Sequence, residues 1–208
     1  MNEISDLAKI TSILGIAATT YLVYENNSIF INEYELFTRK TPNSFRGFKI
    51  LHLNNLYGKT FGSENYRLIE KINSLKPDII VTTGNMLTSS LDKNFVFLEL
   101  CKNLRSFYPI YYSIEGCKNL SGKKYEKYRD YLKGLMDIGV ILLNNSKVSL
   151  IKKEDKLNIY GLYIEDEIKS FSFKEGFKKE NIFSKEDVVN KLGNPNKSEF
   201  NIVLANDV

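Results

Sequence analysis

Between Phe48 and Leu135, apolar runs of strand length alternate with segments whose apolar residues recur at helical spacing, and this alternation limits the possible folds most. Phe48 to Leu53 reads as a buried strand, and Leu68, Ile69, Ile72 and Leu75 mark one face of a helix that begins near Glu64 and ends at Lys76-Pro77. Ile79 to Thr83 is the next strand. A second helix over Leu91 to Leu104, a strand over Ile110 to Ile114 and a third helix with an inner stripe of Tyr125, Tyr128, Leu132 and Leu135 continue the pattern. Such alternation sets strands parallel through right-handed helical crossovers, which gives an α/β sheet covered on both faces.

The flanks read differently. Ser28 to Thr38 alternates as a strand would, and Thr41-Pro42-Asn43-Ser44 is a turn. Beyond Gly139, Val140 to Leu143, Val148 to Ile151 and Leu157 to Leu162 are short strands separated by turns, in the manner of a meander. Rings at Phe171, Phe173 and Phe177 suit core packing better than a loop over a site. Ser184 with Asp187 three residues later is a capping box for a short helix, which Gly193-Asn194-Pro195 stops before a final strand over Phe200 to Ala205.

Ahead of this body, Ile10 to Tyr24 carries no charge and is bounded by Lys9 and Glu25. A spanning helix uses about 20 apolar residues, so the run reads either as a single N-terminal membrane anchor or as a helix packed on the domain of an otherwise cytoplasmic protein. The division expected is a leader at 1–27 and one domain at 28–208. Basic residues number 29 against 25 acidic ones and are spread along the chain, too small an imbalance for a nucleic-acid partner. Cys101 and Cys117 form neither a disulfide framework nor a metal-ligand spacing, and both read as free thiols.

Ligands in open α/β sheets bind beyond the carboxyl ends of the strands. The residues there are Asn54-Asn55-Leu56-Tyr57, Gly84-Asn85, Glu115-Gly116-Cys117-Lys118 and Asn206-Asp207. Four strand frames carry a resemblance. KILHLNNLYGKTFG (49–62) resembles the first motif, Asp-x-His, of membrane-associated calcineurin-like metallophosphoesterases, with Asp falling on Asn55 and His on Tyr57. KPDIIVTTGN (76–85) resembles the strand ending in Gly-Asp, with Asp on Asn85. PIYYSIEGCK (109–118) resembles the approach to Gly-Asn-His-Glu, which falls on Glu115, Gly116, Cys117 and Lys118, and FNIVLAND (200–207) resembles the strand before a metal-binding His, which falls on Asn206.

The resemblance implies an αββα sandwich in which the family's closing Gly-His-x-His motif is absent and the C-terminal part of the second sheet is missing, so that 28–208 is expected to be an incomplete domain of that type. It implies two divalent metals, Mn, Fe or Zn, held where this chain has Asn55, Tyr57, Asn85, Gly116 and Asn206, and a leaving-group His where it has Cys117. With carboxylates replaced by carboxamides and each His by Tyr, Cys or Asn, the expectation is a pseudoenzyme with no cofactor that binds a phosphorylated ligand or a protein partner in the strand-end cleft. The alternatives are an active metal-dependent phosphoesterase rebuilt around Glu115, Asp207 or Cys117, and a decaying remnant. Cys117 lacks an evident base for a nucleophilic role, and His52 reads as a satisfied core or sheet histidine.

Overall fold

The computed structural model describes residues 2–87, 95–114, 121–163 and 184–206, with side chains of the first helix from Ser12 onward. The chain divides into two units, 1–36 and 37–208. The first holds helix α1, Asn2–Asn27, followed by extended chain. The second holds the α/β body.

Four parallel strands form the first sheet: β1 (Ile50–Leu53), β2 (Ile79–Thr82), β3 (Ile110–Ser113) and β4 (Ile141–Leu143), side by side in chain order. Helices α2 (Tyr66–Leu75), α3 (Val96–Leu104) and α4 (Lys123–Asp137) make the crossovers. Leu68 and Ile72 of α2 are buried at the expected spacing, and the helix ends on a left-handed Lys76 followed by Pro77, which cannot continue it. Residues 91–94 of the expected second helix lie outside the described residues.

The second sheet pairs β5 (Ser146–Lys152) antiparallel with β6 (Asp155–Leu162), and β6 parallel with β7 (Phe200–Ala205). Helix α5 (Lys185–Leu192) precedes β7 and touches β6. Its capping box is formed as the sequence indicates: Ser184 Oγ accepts from Asp187 N, and Asp187 Oδ2 accepts from Ser184 N.

Strand alternation divides the side chains of the first sheet between two environments. Ile79, Val81, Tyr111 and Leu143 point towards the second sheet and share a core with Leu157, Ile159 and Leu204. Tyr112 points to the other face, where its ring meets Phe97 of α3 at 5.8 Å and Tyr131 of α4 at 6.3 Å. The sheet is thus covered on both faces, by helices on one and by a sheet on the other.

Across β5, β6 and β7, the fully buried Asn158 sits in a polar network. Its Oδ1 accepts from Ser149, and its Nδ2 donates to Glu199 at 2.6 Å and to Asn201 at 2.9 Å. Lys156 lies 3.3 Å from Glu199. These bonds hold the Glu199 carboxyl below its usual range.

Several expectations change. Val140 to Leu143 is no part of a meander: β4 pairs parallel with β3 because its apolar inner face completes the first sheet's core. The segment 28–38 forms no strand. Its alternation finds no neighbouring backbone among the described residues, and Phe30, Tyr34, Leu36 and Phe37 stay exposed. The strand at Phe48 to Leu53 starts at Ile50 and is an edge with Ile50 and His52 exposed, not a buried strand. On α4 the buried stripe is Tyr128, Tyr131 and Leu135; Tyr125 is exposed and Leu132 half-buried, since the stripe follows the contact with α3 and Tyr112. Phe171, Phe173 and Phe177 lie outside the described residues.

The two sheets approach closely at Gly161. A Cβ there would collide with Leu143 Cβ and come within 2.8 Å of the Leu143 carbonyl oxygen. Gly161→Ala is therefore expected to lower the stability of the body by roughly 1–3 kcal/mol, the range for an overpacked core. Urea unfolding followed by circular dichroism would measure the loss.

Candidate functional site

Strands β1 to β4 end in the same direction, so the loops that follow β1 and β2 lie together. Three backbone hydrogen bonds bind them: Asn55 N to Gly84 O at 3.3 Å, Tyr57 N to Asn85 O at 2.9 Å and Gly58 N to Met86 O at 2.9 Å. Because the strand order never reverses, the sheet has no switch-point crevice of the doubly wound kind. The site is instead a set of side chains at the ends of β1 and β2, on the margin of the inter-sheet core.

Its backbone is unusual. Asn55, Tyr57 and Asn85 all have positive φ, 57°, 49° and 55°. Asparagine tolerates this conformation, but a tyrosine there is strained by about 1–2 kcal/mol. Residues in such sparsely populated conformations persist only where their surroundings over-determine them, and the three cross-loop hydrogen bonds supply that constraint.

The two carboxamides meet. Asn85 Nδ2 donates to Asn55 Oδ1 at 2.8 Å. Three residues before Asn55 and two before Asn85, His52 Nε2 and Thr83 Oγ1 form a second hydrogen bond between the two segments, also 2.8 Å. His52 is accordingly a satisfied sheet histidine, one of the two readings the sequence allows: it shares the outer edge of β1 with Ile50, and partial burial by its neighbours holds its imidazole below the usual 6.5. Sequence reading gave Thr83 only as the end of a strand. The alternation Ile50-x-His52 at a sheet edge was the available signal for the histidine, and the parallel register of β1 with β2 supplies its partner.

Asn206 is half-buried and directly follows β7. Two residues earlier, the Leu204 carbonyl accepts from Ser113 Oγ at 3.2 Å, so the C-terminal ends of β3 and β7 meet. Asn55 and Asn85 are thus brought into contact, Tyr57 is held beside Asn85 through its backbone, and Asn206 stands at the corresponding end of the second sheet. Glu115, Gly116, Cys117, Lys118 and Asp207 lie outside the described residues. Of the two cysteines, Cys101 is a buried free thiol in α3, its pKa pushed far up by desolvation.

Carboxamides, a phenol, a hydroxyl and one imidazole give the described site hydrogen-bond donors and acceptors without a formal negative charge. Among the described residues, no group of three or more His, Cys, Asp and Glu side chains could hold a metal ion. No known family model matches the chain, and no curated protein matches it significantly.

His52 is the only histidine, so its ring protons are resolvable in a proton NMR titration without assignment. The midpoint is expected below 6.5. Since protonation is harder in the folded chain than in the unfolded one, His52 should lower folding stability as the pH falls through and below about 6.5, and add nothing above it. His52→Gln should flatten that part of the stability profile.

Proposed function

We propose that the chain is a calcineurin-like metallophosphoesterase fold kept without its catalysis, a pseudoenzyme that binds a phosphorylated ligand at the strand-end cleft. The layering supports the αββα reading: crossover helices, a parallel sheet and a second sheet follow one another, and α5 touches β6. The ends of β1 and β2 are where the resembled motifs fall.

One observation carries the functional reading, the 2.8 Å hydrogen bond from Asn85 to Asn55. Two carboxylates at such a distance repel by about 6 kcal/mol even at an effective dielectric near 20, and cations between them relieve it. Two carboxamides satisfy each other instead, so the pair is stable with nothing bound. The same donor set fits a pair of divalent cations poorly, because it offers no carboxylate to offset their charge and its imidazole is already bonded to Thr83. Carboxamide N–H groups do suit phosphate oxygens, which accept hydrogen bonds without requiring a metal.

Calorimetric titration of the full chain with Mn²⁺ and Zn²⁺, followed by a phosphodiester assay on the same sample, tests this. Binding no tighter than about 1 mM, roughly 4 kcal/mol, and no turnover are expected, and the triple variant Asn55→Asp, Tyr57→His, Asn85→Asp should also stay inactive. Inorganic phosphate or a phosphate monoester should raise the melting temperature, and Asn55→Ala should abolish that rise. Micromolar metal binding with metal-dependent turnover would overturn the reading in favour of an active phosphoesterase using Glu115, Asp207 or Cys117. A melting temperature indifferent to every phosphate ester would remove the binding role and leave the remnant.

A further inference from the structure

The turn after β1 carries a residue that its backbone does not favour. Lys59 N donates to Leu56 O at 2.9 Å, and the two residues between them have positive φ, 49° at Tyr57 and 65° at Gly58. Positive φ at both central positions is the pattern of a type I′ turn, which Gly, Asn and Asp fill and a bulky side chain disfavours. Gly58 fits it and Tyr57 does not. The main-chain bonds that anchor the turn, Tyr57 N to Asn85 O and Gly58 N to Met86 O, would form with any residue but proline at position 57. Every residue of the turn and of its anchor lies within the body, 37–208.

No internal contact of the side chain compensates. The other rings of this loop are engaged: Phe61 lies under the Lys59 ammonium at 5.0 Å, and Tyr66 covers Gly62 so closely that a Cβ there would collide with its ring. Tyr57 is exposed, and among the described residues its ring meets no other ring or cation and its hydroxyl makes no hydrogen bond. Its side chain therefore adds nothing to the fold that would offset the strained backbone. A local conflict that no packing contact offsets marks a position with a role outside the fold.

We propose that Tyr57 is a stacking platform, on which a planar aromatic group of the ligand lies while the ligand's phosphate meets the Asn55 and Asn85 carboxamides. Given the phosphate-binding reading, on which this rests, the ligand is a phosphate monoester that bears a flat ring system. The two halves of such a ligand find their partners side by side, since the hydrogen bond that holds Tyr57 in place ends on Asn85, whose side chain reaches Asn55. Lys59 closes the same turn and is the one charged residue in 54–62, which suits an anionic ester. Aromatic side chains hold bases and other rings by their faces, with little regard to the substituents at the ring edge.

Calorimetric titration of the full chain with phenyl phosphate, adenosine 5′-monophosphate and glycerol 3-phosphate tests this. One or both ring-bearing esters should bind about tenfold more tightly than glycerol 3-phosphate, and whichever leads tells whether the ring joins the phosphate directly or across a sugar. Tyr57→Phe should keep that ratio. Tyr57→Asn and Tyr57→Gly, both suited to the turn, should bring it to about one without lowering the melting temperature of the free chain. Three esters bound equally well would overturn the stacking role and leave phosphate binding intact, whereas no binding of any ester would remove both together. A ratio that survives Tyr57→Asn and Tyr57→Gly would place the ring elsewhere, and a melting temperature lowered in both variants would make Tyr57 a structural residue; either result also overturns the proposal.

Discussion

Contact between the inner faces of the two sheets is the constraint on which the rest of the body depends. Val81, Tyr111 and Leu143 from one sheet and Leu157, Ile159 and Leu204 from the other fill a single core, and Gly161 lets the layers close where any larger residue would hold them apart. That contact fixes which face of each strand looks inward. It leaves Tyr112 and its neighbours to the helices, and it brings the ends of β3 and β7 together through Ser113 and Leu204. The polar row around Asn158 adds register to adhesion, since sliding β6 by one residue would bring Leu157 or Ile159 where Ser149, Glu199 and Asn201 now find a carboxamide.

The loops after β1 and β2 derive their shape from backbone, not from ligands. Three main-chain hydrogen bonds join them, and they hold Tyr57 in a conformation it would not choose in isolation. A site built in this way owes its outline to main-chain hydrogen bonds rather than to the charge of its side chains. Asn55 and Asn85 then fill the space as a hydrogen-bonded pair.

Much of the layout was legible in the sequence because local signals and tertiary packing agree there. Helical spacing at Leu68 and Ile72, the capping box at Ser184 and Asp187, and the runs at Ile79, Ile110 and Phe200 all became the elements they indicated. Errors arose where the outcome depended on a neighbour. Alternation in Ser28 to Thr38 cannot supply the second backbone that a strand requires, and Val140 to Leu143 looks like any short strand until β3 is available beside it. At the site, residue types at Asn55 and Asn85 could be read, but their mutual hydrogen bond could not, nor could the pairing of His52 with Thr83, since both depend on cross-strand register.

Strand order also dictates how the body can assemble. In the first sheet each strand lies beside its predecessor in the chain, so the sheet can grow from β1 to β4 one crossover at a time as the polypeptide lengthens. The hairpin of β5 and β6 then folds across it, setting Gly161 against Leu143. Strand β7 joins β6 across a long connection, at a higher loop-closure cost, and contributes Phe200, Ile202 and Leu204 to the shared core. This last strand closes the shared core along β6, and it carries Asn206 to the C-terminal end of the second sheet.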